Sequence, residues 1–132
     1  MLLLRRMLRA QAAVWALAGS AVAVAPSVVL VNIFNQVPYP DYAYVRVSGV
    51  MAIGFALLAV LVSQKLEDVW WWAWAFAITD AGIATVTALN ALVGKPPASG
   101  AALWWLFAAV NAALGAGLLL GLNRSGDENP FA

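Results

Sequence analysis

The 132-residue sequence contains neither cysteine nor histidine. Without cysteine the chain has no disulfide, thiolate metal ligand or thiol nucleophile, and without histidine it lacks the commonest metal ligand and general base. Charged residues are also scarce, at 10% of the chain, against about a quarter in ordinary soluble domains. We therefore predict that the protein is not an enzyme and has no metal site and no bound cofactor.

A strong net charge is missing as well. The formal charge is +1, and the seven lysines and arginines form no run beyond the amino terminus. Such a chain has no field that would attract the phosphates of a nucleic acid. A nucleic-acid partner is therefore not expected.

Apolar residues make up 64% of the sequence. They form four segments, at about 10–33, 45–63, 69–93 and 101–122, each close to the ~20 residues that a helix needs to cross a bilayer. Short connectors with turn-forming residues separate the segments, which favours antiparallel neighbours. The sequence predicts an all-α fold, a membrane four-helix bundle with up-down helices in a single transmembrane domain over residues 1–132. The polar tail 123–132 is predicted to be disordered.

Positive residues are divided unequally between the two predicted ends of this bundle. One end has Arg5, Arg6, Arg9, Lys65 and Arg124, whereas the other has Arg46 and Lys95. The positive-inside rule then predicts that both termini lie in the cytoplasm. An alternative is that residues 1–25, with a basic start, an apolar stretch and small residues, are a cleaved signal peptide. The apolar run continues to Ile33, which favours a retained membrane anchor.

Four arginines near the predicted membrane boundaries are expected to contact lipid headgroups. They are Arg5, Arg6, Arg9 and Arg46. A basic side chain at an anionic membrane surface contributes about 1 kcal/mol to membrane attraction. For Arg46, extension of the side chain to the interface explains its position equally well.

The main candidate for function is Asp80, the lone acid within the four predicted segments. It follows position 69 by eleven residues, or ~17 Å along a helix, and so lies near the middle of the bilayer. An acid there costs about 2.5–3.5 kcal/mol and usually faces the bundle interior or a water-filled cavity. Small residues share its predicted face, namely Ala73, Ala77, Ala84, Thr87 and Ala91, whereas Trp71, Ile78, Val86 and Leu89 lie opposite.

Asn111 is the predicted partner of Asp80, because it lies at a similar depth in the fourth segment. Asp80, Asn111 and Thr87 are thus the predicted intramembrane polar site. A hydrogen bond between Asp80 and Asn111 would fix the register of the last two helices, with a net value of about 0.6 kcal/mol. The GxxxG pattern from Gly117 to Gly121 favours close helix packing, either within the bundle or between copies of the chain.

Three functions agree with these features. The first is a non-enzymatic accessory or structural subunit, with a second membrane protein or further copies of the chain as partners besides the lipid bilayer. The second is a small carrier or channel coupled to protons or cations through Asp80. The third, an enzyme acting on lipids or quinones, is the weakest, because one buried acid without base, nucleophile or metal ligand is a poor catalytic set.

In layout the chain resembles the small four-helix bacterial inner-membrane proteins of the DoxX-like group. The features that carry this resemblance are residues 44–49 with Gly54 in the second segment, the tryptophan-rich start of the third at 70–74, and the glycine-rich end of the fourth. The resemblance implies a location in the bacterial inner membrane. It implies little about mechanism, since most members have no known function and some are linked to redox or stress responses as partners of other membrane proteins. The absence of cysteine argues against a thiol-redox role.

Overall fold

The structure is a computed structural model that describes residues 1–128, and all regular structure within this range is helical. Its α-helices are α1 (Leu2–Val24), α2 (Ala43–Gln64), α3 (Leu66–Val69), α4 (Ala73–Leu89) and α5 (Ala102–Glu128). A 3₁₀ turn at Trp70–Trp72 joins α3 to α4, and wider π-helical turns follow α1 at Val28–Ile33 and α4 at Asn90–Gly94. The all-α prediction is confirmed.

Four helical spans are long and apolar enough to cross a membrane. They are Leu2–Val24, Ala43–Gln64, Leu66–Gly94 and Ala102–Asp127. The third span is continuous from α3 through the π-helical turn after α4. This arrangement indicates a multi-pass membrane protein.

The first helix starts earlier than predicted, at Leu2 and not near residue 10. Leu4 and Leu8 have no exposed surface, and Ala12 and Trp15 are buried on the same side of α1. This spacing places one apolar stripe along the helix, with the arginines beside it. The helix ends at Val24, just before Pro26, which has no backbone N–H to continue the helical hydrogen bonds.

The last helix also runs further than predicted. Residues 123–128 belong to α5, so the prediction of a disordered tail is wrong for this part. Ser125 is fully buried, and Gly126 lies beside the ring of Trp70. Packing against the third span therefore stabilises a helical conformation for these polar residues. The rest of the predicted tail, residues 129–132, lies outside the described range.

The apolar core joins all four spans at the end of the bundle that carries Arg5, Arg6, Lys65 and Arg124, called the basic end below. Its buried members are Leu4, Leu8, Ala12, Trp15, Ala56, Ala59, Val62, Leu66, Trp70, Ala73, Phe76, Ala77, Leu118 and Leu122. Helix α1 packs mainly on α2 and α5, and α4 packs mainly on α5, whereas α2 touches α4 little. Helices α1 and α5 thus form the centre of the bundle.

Glycines allow two close approaches between helices. A Cβ atom added to Gly49 of α2 would lie 2.5 Å from the carbonyl oxygen of Gly19 in α1. A Cβ added to Gly121 of α5 would lie 2.9 Å from the Cα of Leu4, a backbone atom, whereas one added to Gly117 would meet the flexible side chain of Met7. Of the two alternatives for the GxxxG pattern, the structure shows packing within the bundle.

At the opposite end, the connector after the first span is bonded to the connector before α5. The Gly100 N–H donates to the carbonyl oxygen of Asn35 over 3.0 Å, and the Gln36 Nε2 donates to the carbonyl oxygen of Gly100 over 2.8 Å. Gln36 is buried although it lies in a loop. These bonds fix the connectors to each other.

Candidate functional site

The predicted inward face of the third span is confirmed. Asp80 has 0% exposed surface. Ala73, Ala77, Thr87 and Ala91 are buried with it, and Ala84 is half-buried. The residues predicted on the opposite face, Trp71, Ile78, Val86 and Leu89, are all exposed.

The predicted hydrogen bond between Asp80 and Asn111 is wrong. The Asp80 Oδ1 accepts a hydrogen bond of 2.8 Å from the Nε2 of Gln11, which lies on α1. The Nδ2 of Asn111 donates instead to the carbonyl oxygen of Phe107, one turn earlier on α5, over 2.8 Å. Asp80 therefore ties α4 to α1 and not to its neighbour α5.

Gly115 explains how Asp80 fits between these helices. A Cβ added to Gly115 would lie 3.2 Å from the Asp80 Cβ, which is a tight contact. Because Gly115 has no side chain, α5 leaves room at this point for the carboxyl group of Asp80 to reach the side chain of Gln11. Three helices thus meet at the level of Asp80.

The sequence pattern did not single out Gln11, because the first helix was predicted to begin near residue 10. From that start Gln11 lies at the membrane boundary, where a polar side chain needs no partner. The true start at Leu2 places Gln11 nine residues, or ~14 Å, into the helix. The helical spacing of Leu4, Leu8 and Gln11 could have predicted its burial, because it places Gln11 on the same face of α1 as the two leucines.

Three buried acceptor atoms, one each on α1, α4 and α5, have no hydrogen-bond partner within the described part of the chain. They are the Asp80 Oδ2, the Gln11 Oε1 and the Asn111 Oδ1, and each is buried. We call Gln11, Asp80 and Asn111 the buried polar cluster. A buried acceptor left unpaired costs about 1–3 kcal/mol. A proton or small cation is the kind of ligand that such oxygen atoms attract.

Thr87 shares the inward face but is bonded within its own helix. Its hydroxyl group donates to the carbonyl oxygen of Ile83 over 2.7 Å, with a second contact of 3.2 Å to that of Ala84. This local bonding is common for threonine in apolar helices. Thr87 thus makes no hydrogen bond with Asp80 or Asn111. Among residues 1–128 no group of three or more His, Cys, Asp or Glu side chains is placed to hold a metal ion.

Two of the four arginines predicted to contact lipid have partners within the protein. Arg5 forms an ion pair with Glu67 at the basic end. The Arg46 Nη1 donates to the carbonyl oxygens of Ala23 and Val24, over 2.8 and 3.2 Å. These are the last carbonyls of α1, which lack partners within the helix and attract positive charge. Lipid contact stays a prediction for all four arginines. For Arg6 and Arg9 no such partner is found among residues 1–128.

Two shallow surface cavities in the described chain lie away from the buried polar cluster. One is an almost wholly apolar groove of about 330 Å³ between α1 and α2, next to Arg9. The other, of about 280 Å³, lies at the basic end. Neither is lined by Asp80, Gln11 or Asn111.

No protein-family model matches the chain, and no curated protein or solved structure matches it significantly. Its function is therefore inferred from its own residues.

Proposed function

We propose that the protein is a non-enzymatic accessory or structural subunit of the bacterial inner membrane. The observation that carries this proposal is the environment of Asp80, which has no exposed surface and is bonded to Gln11 across the bundle. A carrier must expose its acid to water or to an ion. A carboxyl group enclosed by three helices instead fixes their relative positions. The resemblance in layout to the DoxX-like group supports the location in the bacterial inner membrane.

If the protein is such a subunit, its assembly with a partner membrane protein should tolerate Asp80→Asn. The asparagine Oδ1 still accepts the bond from the Gln11 Nε2, and the new amide N–H offers a donor to the Gln11 Oε1, which now has none. Native mass spectrometry of the tagged protein, extracted gently from its own membrane, measures intact mass, copy number and bound proteins together. We expect a stoichiometric second membrane protein with both the wild type and Asp80→Asn.

A matched control for this experiment is Asp80→Leu, which removes the acceptor of the bond from Gln11. We expect this variant to give a lower yield of folded protein. The proposal is wrong if the spectra show only homo-oligomers of the chain, or if Asp80→Asn loses the partner while its yield and helical content stay normal.

We further propose an up-down bundle with both termini in the cytoplasm. The ion pair between Arg5 and Glu67 and the cavity shared by Arg6 and Arg124 support this topology, since they join the ends of three spans. The excess of positive residues at this end supports its cytoplasmic side. We expect a fluorescent protein fused to the carboxyl terminus to fluoresce and alkaline phosphatase fused there to be inactive. The opposite pattern would exclude the proposed orientation.

A second candidate is a carrier or channel coupled to protons or cations. It is favoured by one observation, the three unpaired acceptor oxygens of the buried polar cluster. Purified protein in proteoliposomes with an interior pH dye tests this candidate directly. Flux that is abolished by Asp80→Asn would put the carrier first, whereas flux that is absent or unchanged by this substitution would exclude it.

A further inference from the structure

Two arginines that are far apart in the sequence meet in one cavity at the basic end. The cavity has a volume of about 280 Å³ and is lined by Met1, Leu2, Leu3, Arg6 and Arg124. Arg6 lies in the second turn of α1, and Arg124 lies near the end of α5. The fold thus brings two positive charges to one concave surface.

Neither arginine forms an ion pair with a carboxylate of the described chain. Glu67 at this end forms its ion pair with Arg5, and not with Arg6 or Arg124. Two guanidinium groups that line one cavity repel each other, and an anion bound between them would relieve this repulsion. The planar guanidinium group with its N–H donors matches the oxygen atoms of a phosphate and binds them in pairs.

Apolar residues in the same cavity restrict which phosphate fits. Leu2 and Leu3 line it beside the arginines, and 63% of the Leu2 surface is exposed. The cavity also lies where two membrane-spanning helices have their ends, which is the depth of lipid headgroups. A ligand with a phosphate and a neighbouring acyl chain satisfies both the arginines and the leucines.

We propose that this cavity binds the headgroup phosphate of an anionic phospholipid, held by Arg6 and Arg124 together. The apolar part of the lipid lies along Leu2 and Leu3. This site is independent of the buried polar cluster and of the proposed accessory role. It adds Arg124, on the last helix, to the arginines that the sequence assigned to lipid contact.

The test is a lipid titration of the full-length protein in neutral detergent micelles, with the bound lipid counted by native mass spectrometry. Phosphatidylglycerol is the probe, and phosphatidylcholine is the neutral comparison. The variants are Arg6→Gln, Arg124→Gln and both together. Lys65→Gln is the matched control, because it removes a positive charge from the same end of the bundle outside the cavity.

We expect one tightly bound phosphatidylglycerol and no equivalent phosphatidylcholine. Each arginine variant should weaken binding about fivefold, the factor that corresponds to about 1 kcal/mol. Lys65→Gln should change it less than twofold. Equal losses in Lys65→Gln and the arginine variants would overturn the proposal, because they would indicate general attraction to a positive surface. Unchanged binding in the double variant would overturn it as well.

Inorganic phosphate separates a lipid site from a site for a soluble anion. For the proposed site, phosphate at millimolar concentration should displace little phosphatidylglycerol, since it cannot contact Leu2 and Leu3. Complete displacement by phosphate at such concentrations would show that the leucines contribute nothing and would overturn the lipid assignment. Circular dichroism of each variant verifies that the helices are intact.

Discussion

Gly49→Ala is expected to lower the free energy of unfolding by about 2 kcal/mol, within the range of about 1–3 kcal/mol for overpacked interiors. The added Cβ would lie 2.5 Å from the Gly19 carbonyl oxygen and 2.8 Å from the backbone nitrogen of Ala23. Both are backbone atoms, so neither can move away by rotation of a side chain. Helices α1 and α2 must therefore separate. Unfolding by a denaturing detergent, followed by tryptophan fluorescence, measures the loss.

Gly54→Ala is the matched control, because Gly54 lies on the same helix and a Cβ added there meets no atom within 4 Å. Its free energy of unfolding should stay constant or rise by up to about 1 kcal/mol, since alanine favours a helix more than glycine does. Equal effects of the two substitutions would contradict the prediction. They would show that helix propensity, and not the contact with Gly19, governs stability at both positions.

Gln11→Leu is expected to lower the free energy of unfolding by about 1–3 kcal/mol, the cost of a buried polar group without a partner. The substitution removes the Nε2 donor from the Asp80 Oδ1 and leaves the carboxyl group buried without a hydrogen bond. Asp80→Asn should be nearly neutral, because an amide still accepts this bond. Detergent unfolding of each variant measures the change.

The double substitution Gln11→Leu with Asp80→Leu separates the bond from other effects. With both polar partners removed, the double variant should be more stable than Gln11→Leu alone. Asn111→Leu serves as a control, because Asn111 is also buried but, among residues 1–128, donates its hydrogen bond within its own helix. Strictly additive losses for Gln11 and Asp80 would show that the two side chains do not interact in the folded protein.

Composition and periodicity were enough to predict that the chain spans a membrane and which face of the third span points into the bundle. Length and apolar composition decide whether a helix can cross a bilayer, and both are read directly from residues 45–63 or 101–122. Helical periodicity decides which residues share a face, so the burial of Asp80 with Ala77 and Thr87 was predictable. These are properties of single helices.

How the helices pack against one another could not be predicted from the pattern of single segments. Asn111 has a suitable depth to bond Asp80, but depth does not specify which neighbour a side chain faces, and the structure pairs Asp80 with Gln11. The ends of the first and last helices were also misjudged, because contacts between helices, and not local polarity, keep Leu4 and Ser125 buried. Periodicity within one segment does not show how another segment is rotated or which helix it contacts. The rotation and the contacts depend on close packing between helices, such as that at Gly115 and Gly121.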